Sequence, residues 1–187
     1  MQQLILVRHS ETRFDRMTPP EQWGLSDEGR LRCQPLAERL TEYDPGIVVT
    51  SKEPKALQTG QIIATRLGIP IETGDNLHQI DRRAIGLLPS KTAYQEAVFG
   101  LFRKPTERIF GEETADEARL RFAGAIEGIV GGYPGINPLI VAHGLVITLF
   151  VAHLAGYSHL NSGSGWKCPL LWCCHCRIMP CWRQWRE

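Results

Sequence analysis

The sequence of 187 residues has no run of lysine or arginine, and its formal net charge is only +1. Nucleic acids and anionic membranes attract clustered positive charge, so the composition predicts neither as a partner and leaves small molecules or proteins. The N-terminus also lacks the basic segment, apolar stretch and small-residue cleavage site of a signal peptide, which predicts a cytoplasmic protein. The oligomeric state is not indicated.

Cysteine is scarce in the first 160 residues, where Cys33 is the only one. The other five cysteines and four of the five tryptophans fall in residues 161–187. The length suits one well-cored domain. We therefore divide the chain into a domain of residues 1–160 and an atypical Cys/Trp-rich tail of residues 161–187.

Apolar strand patterns alternate with helix patterns through the first 160 residues. This alternation predicts an α/β fold, a layered sheet of mostly parallel strands with helices on both faces. The apolar stretch 138–156 approaches the length of a membrane span, but two histidines and a His-Gly turn favour a strand, a turn and a buried helix. Strands are predicted at 3–7, 46–49, 69–72 and 138–142, and helices at 26–40, 54–67, 91–103, from 114, and 145–154.

Charged and titratable residues follow several of the predicted strands directly. Arg8 and His9 end the first strand, His143 ends the strand at 138–142, and Lys55 follows the strand at 46–49. Ligands of α/β sheets bind at the carboxyl ends of the strands. Two histidines and two cations at three such ends predict an anion site that contains a nucleophile.

Five motifs follow one another in residues 1–160: "LVRHSET", "LSDEGRLRCQPLAERL", "TSKEPKALQT", "GEET" and "LIVAHG". In this order and spacing they resemble the histidine phosphatase superfamily, the group that includes cofactor-dependent phosphoglycerate mutases. The ordered set makes a chance match improbable.

The resemblance implies a phosphoglycerate mutase-like fold and a phosphoryl-transfer site. It implies that His9 becomes phosphorylated and that Arg8, Lys55 and His143 bind the phosphoryl oxygens. It implies neither a metal nor another cofactor. The chemistry agrees with this assignment, because phosphoryl transfer depends mainly on positioning and on charge stabilisation by cations.

Several positions depart from the family pattern. Lys55 stands where arginine is usual, and an ammonium group is a point charge rather than a bidentate fork, so we expect a looser grip on phosphate. Ser10 replaces a common glycine. Asp15 replaces a usual asparagine, and we expect its carboxylate to repel phosphate.

The most consequential departure lies in "NLHQIDRR", residues 76–83, where the family normally has a glutamate general acid. Gln79 occupies that position, and an amide cannot donate the required proton. The acid is therefore Asp81, His78, or absent. We favour Asp81, with His78 second.

Three functions remain open. The first is a metal-independent phosphomonoesterase acting on a small phosphorylated metabolite through phosphohistidine. A mutase is less favoured, because the region before residue 138 is too short for the insertions of mutases in this family. The second is a pseudo-phosphatase that binds phosphate with little turnover, and the third is a phosphohistidine phosphatase, whose good leaving group needs less acid assistance.

The tail has zinc-like spacing in part, but adjacent cysteines and interleaved tryptophans fit no familiar ligand pattern. We favour a shifted reading frame, since the neighbouring frame permits an apolar strand from position 172 and an amphipathic segment from position 180. We accordingly expect the tail to hold no metal, to pack irregularly, to expose apolar side chains and to leave the sheet without an edge strand. The candidate ligands are Cys168, Cys173, His175, Cys176 and Cys181.

Overall fold

A mostly parallel sheet forms the centre of the molecule. The computed structural model describes residues 2–81 and 88–155 and, as backbone only, 171–173 and 176–179. The strands are β1 (Ile5–Arg8), β2 (Pro45–Ser51), β3 (Ile71–Gly74), β4 (Asn137–Ala142), β5 (Leu171–Cys173) and β6 (Cys176–Met179). The helices are α1 (Asp27–Leu40), α2 (Pro54–Leu67), α3 (Lys91–Arg103), α4 (Ala115–Gly132) and α5 (Gly144–Leu154).

The strand order in the sheet is β3-β2-β4-β1-β5-β6. All neighbouring pairs are parallel except β5 with β6. This confirms the predicted α/β class. The crossovers bring the carboxyl ends of β1, β2 and β4 to one edge of the sheet, since parallel strands share their direction.

The two faces of the sheet carry separate apolar cores, because successive side chains of a strand point to opposite faces. Val48 packs with α1 and α2, whereas Val49 packs with α4 and α5. The other strand residues divide in the same way, with Val7, Leu139 and Val141 on the first face and Ile47, Ile140 and Ala142 on the second. Helices therefore cover both faces, as predicted.

The helix boundaries follow local signals in the sequence. The Ser26 side chain accepts a hydrogen bond from the backbone of Gly29 at the start of α1. Pro54 begins α2, where its missing N–H costs no helical hydrogen bond. Thr114 and Glu117 form a reciprocal capping box at the start of α4.

The stretch 138–156 forms β4 and α5 over its described part, which ends at residue 155. Six residues of α5 are buried, on both sides of the helix. Within the described ranges, no helix is long and apolar enough to cross a membrane. The apolarity of this stretch therefore reflects a central strand and a buried helix.

Two segments of the tail extend the sheet. β5 pairs in parallel with β1, where Val7 lies opposite Trp172, and β6 pairs with β5. The expectation that the sheet would lack an edge strand here is therefore wrong, because tail backbone fills the position next to β1. The tail side chains lie outside what the structure describes, and so do the calls that they bind no metal and expose apolar surface. The frameshift stays a prediction.

Candidate active site

The first and fourth strands bring two histidines together. Arg8 is aligned with Ala142 across the β1–β4 ladder, and the backbone N–H of His9 donates to the carbonyl of Ala142 at 2.9 Å. The next residue after Ala142 is His143. Its ring centroid lies 5.2 Å from that of His9, at an interplanar angle of 60°. The predicted meeting of His9 and His143 at the sheet edge is present in the structure.

The protonation of the His9 ring follows from its backbone contact. Nδ1 of His9 lies 2.8 Å from the carbonyl oxygen of Ser10. A carbonyl oxygen can only accept, so Nδ1 carries the proton in the neutral ring. The lone pair of neutral His9 is then on Nε2, so Nε2 is the nucleophilic nitrogen of the ring.

Ser10 anchors the loop that carries His9. Its side chain is 2 % exposed, and its hydroxyl donates to the carbonyl of Gly29 at 2.7 Å. Its backbone N–H donates to Oγ1 of Thr59. A Cβ at Gly29 would lie 2.1 Å from the carbonyl oxygen of Glu11, so glycine is needed where α1 meets this loop. Ser10 therefore connects the loop that carries His9 to both α1 and α2.

His143 is fully buried at the beginning of α5. Burial holds its pKa well below the usual value, and His9 and Lys55 lower that pKa further. His143 is therefore neutral at pH 7. Its Nε2 lies 2.9 Å from Oγ of Ser51 and 3.2 Å from Oε1 of Glu53.

Gly144 allows Arg8 to pack beside His143. A Cβ at position 144 would lie 3.1 Å from Cδ of Arg8, closer than an ordinary contact. The His-Gly pair therefore admits the arginine side chain at the start of α5. This gives a tertiary reason for glycine in the "LIVAHG" motif.

Lys55 lies in the first turn of α2 and is 6 % exposed. Its Nζ donates to the carbonyl of Pro20 at 2.6 Å and pairs with Oε2 of Glu53 at 2.6 Å. The structure thus places Lys55 at the site, as predicted. It also shows that the charge of Lys55 has a counter-ion in the free protein.

Glu53 is the site residue that the sequence interpretation missed. Its side chain is 11 % exposed, and its carboxylate contacts Lys55, His143 and the backbone N–H of Gln79. The available signal was an acidic residue two positions before Lys55, at the end of a buried strand. Only the fold shows that this carboxylate joins three separate segments.

The segment before residue 82 forms one wall of a pocket of about 270 Å³. Burial lowers the pKa of His78, and the Arg121 charge lowers that pKa further. The structure thus places all three residues of the predicted acid segment at the pocket. Its polar lining consists of Glu21, Glu53, Lys55, His78, Gln79 and Asp81.

A guanidinium–carboxylate pair supports this wall from behind. Arg121 of α4 donates from Nε and Nη2 to Glu113 at 3.0 and 2.6 Å, and from Nη1 to the carbonyls of Asn76 and His78. Glu113 in turn accepts from the backbone N–H of Asp81. The pair therefore ties the start of the wall to its end.

We expect Arg121→Ala to lower the free energy of unfolding by about 2–3 kcal/mol, because it removes several hydrogen bonds to charged groups and leaves Glu113 unpaired. Activity should fall as well, since the wall that carries His78 and Asp81 loses its support. Urea unfolding measures the first effect. The matched control is Arg66→Ala, which breaks an exposed pair with Glu38 and should change stability by less than about 0.5 kcal/mol. Equal effects of the two variants would contradict this role.

Asp15 has a role that its position in the motif did not predict. Its carboxylate accepts from the backbone N–H of Met17 and the hydroxyl of Thr18, at 2.8 and 3.1 Å. Its carbonyl accepts from the indole N–H of Trp23. Asp15 therefore holds together the loop between β1 and α1.

Fold and site together define an α/β protein with a pair of histidines at the carboxyl edge of a mostly parallel sheet. The model of the histidine phosphatase superfamily (branch 1) matches residues 4–180. The chain belongs to this superfamily. The match extends beyond residue 160, where the motif resemblance ends.

Curated relatives carry both mutase and phosphatase names. A probable phosphoglycerate mutase GpmB of Cronobacter sakazakii is 26% identical over 166 residues, covering 83% of this chain and 76% of the relative. An uncharacterized phosphatase PhoE of Bacillus subtilis is 26% identical over 159 residues, covering 83% and 79%. The names support phosphatase-type or mutase-type chemistry and no particular substrate.

Solved structures share the fold. Bacillus stearothermophilus YhfR matches with a TM-score of 0.69 at 24% identity, covering 83% of this chain and 81% of that one. A mycobacterial glucosyl-3-phosphoglycerate phosphatase matches with a TM-score of 0.69 at 22% identity, covering 82% and 79%. At these identities, the likeness supports the architecture alone.

Proposed function

We propose that this protein is a metal-independent phosphomonoesterase that acts on a small phosphorylated metabolite through a phosphohistidine intermediate. The observation that carries the proposal is the approach of His9 and His143 to 5.2 Å at the sheet edge. Arg8 at the end of β1 and Lys55 in the first turn of α2 add positive charge on the two sides of β4. A cytoplasmic location belongs to the same proposal.

In the proposed first step, Nε2 of His9 attacks phosphorus and the ester oxygen leaves. The hydrogen bond from Nδ1 to the Ser10 carbonyl supports this step, because it fixes the tautomer and favours the developing positive charge on the ring. In the second step, water displaces His9 from phosphorus. Dividing hydrolysis in this way replaces one difficult displacement with two easier ones.

The phosphoryl oxygens are proposed to be bound by Arg8, Lys55 and His143. Charge spreads over these oxygens in the transition state, so fixed donors beside them stabilise it. Of these groups, Arg8 and Lys55 supply the positive charge that a metal supplies in other phosphatases, whereas His143 is neutral. Chelators should therefore leave activity unchanged.

Asp81 is proposed as the group that protonates the leaving oxygen, with His78 as the second candidate. Both line the pocket beside Lys55. Burial lowers the pKa of His78, so this imidazole is mostly neutral at pH 7 and a poorer proton source. Asp81 is therefore tested first.

The relative rates of hydrolysis of aryl and alkyl phosphates should show whether a side chain protonates the leaving oxygen. An aryl phosphate leaves without assistance, whereas an alkyl phosphate needs a proton on the leaving oxygen. We expect Asp81→Asn to reduce alkyl phosphate hydrolysis by about 10²-fold or more and to leave aryl phosphate hydrolysis nearly unchanged. Steady-state assays on both substrate types measure the ratio. An unchanged ratio would transfer the role to His78 or to another group.

A phosphate-binding module with little turnover is the second candidate. The ion pair of Lys55 with Glu53 favours it, because a cation already paired in the free protein binds phosphate less strongly. A panel of phosphorylated metabolites, with phosphohistidine included, separates the candidates. Phosphate binding with no substrate hydrolysed would establish the module, and hydrolysis of phosphohistidine alone would establish a phosphohistidine phosphatase.

A further inference from the structure

The carboxylate of Glu53 contacts two of the groups proposed to bind phosphate. Oε2 lies 2.6 Å from Nζ of Lys55, and Oε1 lies 3.2 Å from Nε2 of His143. The side chains of Lys55 and Glu53 are 8 and 11 % exposed, so water screens the pair only weakly. In the free protein, the carboxylate of Glu53 therefore occupies part of the proposed phosphate site.

A phosphoryl group that reaches Lys55 and His143 must come close to this carboxylate. Two full negative charges a few ångströms apart in a poorly screened pocket repel each other strongly. The Glu53 carboxylate is also held in place, because Oε1 accepts from the backbone N–H of Gln79 at 2.9 Å. Retreat of the carboxylate would cost this hydrogen bond and the ion pair with Lys55.

The repulsion disappears if a proton lies between the two anions. Two carboxylates, or a carboxylate and a phosphoryl group, can share a site when one of them binds a proton. The shared proton then forms a charge-assisted O–H···O hydrogen bond, which is stronger than a neutral one. Sharing a proton lets the Glu53 carboxylate keep its hydrogen bond from the backbone N–H of Gln79.

We propose that Glu53 makes this a site for the singly protonated phosphoryl group: phosphate binds together with one proton, which is shared between a phosphoryl oxygen and the Glu53 carboxylate. The inference rests on the proposed function in taking Lys55 and His143 as phosphate-binding groups. It defines the substrate form as the monoanion. It also brings into the pocket a proton that the amide of Gln79 cannot supply.

Other groups at the pocket titrate or carry charge, and the test must separate them from Glu53. The histidines are the main competitors, since bound phosphate favours imidazolium. Carboxylates on other elements would also respond to phosphate. The groups lining the pocket are Glu21, Lys55, His78 and Asp81, those at the adjoining strand ends are Arg8, His9 and His143, and those behind the wall are Glu113 and Arg121.

The test is titration calorimetry of the full chain with inorganic phosphate at pH 8, in two buffers of different ionisation enthalpy. Phosphate is mostly dianionic at this pH, so we expect the wild-type protein to take up about one proton per phosphate bound. We expect Glu53→Gln to take up almost none and to bind phosphate about tenfold tighter at pH 8, because the repelling charge is gone. A purely structural role for Glu53 predicts weaker binding instead.

The matched control is Asp75→Asn. It also removes one carboxylate from a lysine pair, that of Lys52, but this pair is exposed. It should keep both the proton uptake and the affinity of the wild type. Uptake of no proton by the wild type, or equal uptake by wild type and Glu53→Gln, would overturn the proposal.

Glu53→Gln removes the counter-ion of buried Lys55, whose remaining described contact is the carbonyl of Pro20, and could fail to fold. Infrared difference spectra of wild-type protein with and without phosphate then answer the same question. Bands of a protonated carboxyl or of monoanionic phosphate support the proposal, and bands of imidazolium alone overturn it. These binding measurements need no turnover. Proton uptake that depends on Glu53, in a protein that hydrolyses nothing, would therefore reject the proposed function and keep this inference.

Discussion

His9→Ala is expected to reduce hydrolysis of an aryl phosphate to the background rate, because the variant lacks the nitrogen proposed to attack phosphorus. The ring is about half-buried and makes its described polar contact with the Ser10 carbonyl, so the variant should fold. Steady-state assays with p-nitrophenyl phosphate measure the loss. Mass spectrometry should detect an acid-labile phosphoryl group, the proposed phosphohistidine, on the wild-type protein and not on the variant.

The matched control for this variant is His153→Ala, since His153 is an exposed histidine near the end of α5. It should retain wild-type activity. Full activity of His9→Ala would remove the phosphohistidine mechanism from the proposal.

Arg8→Ala is expected to cost on the order of 10²-fold in kcat/KM, the usual effect of losing one preorganised donor to a developing oxyanion. Arg8 is exposed, so stability should change little. His143→Ala should cost a similar factor in kcat/KM and also lower stability, because it empties a fully buried position. Measurements of kcat/KM and of thermal unfolding on both variants separate a loss of activity alone from a loss of activity and stability.

Arg39→Ala is the control for the loss of one positive charge. Arg39 is exposed in the last turn of α1, and the other end of this helix meets the loop that carries His9. It should leave kcat/KM within about twofold of wild type, since a distant exposed charge is largely screened. Comparable losses in Arg8→Ala and Arg39→Ala would show that only net charge matters and would contradict a specific role for Arg8.

Most of the secondary structure could be predicted from the sequence, because its signals are local. The helix caps at Ser26 and Thr114 and the proline at position 54 are contained within a few residues of the boundaries that they define. The first residue of β3 was less predictable. The pattern "IPIE" begins at residue 69, whereas pairing with β2 begins at Ile71, since the register depends on a distant strand.

The tail shows the limit of composition as a guide. Its cysteines and tryptophans indicated a break with the domain, and this led to the wrong expectation of a missing edge strand. Backbone pairing with β1 depends on available N–H and C=O groups more than on side-chain identity. The tail backbone could therefore fill the edge of the sheet.

The sequence by itself determined the α/β class, the family and the placement of Arg8, His9, Lys55 and His143 at strand ends, because strand periodicity and the rule of carboxyl ends need no coordinates. Only the tertiary structure revealed that Glu53 lies between Lys55, His143 and Gln79, and that Glu113 and Arg121 brace the pocket wall. These contacts join residues far apart in sequence. Their distances depend on how strands and helices pack, and packing has no local signature.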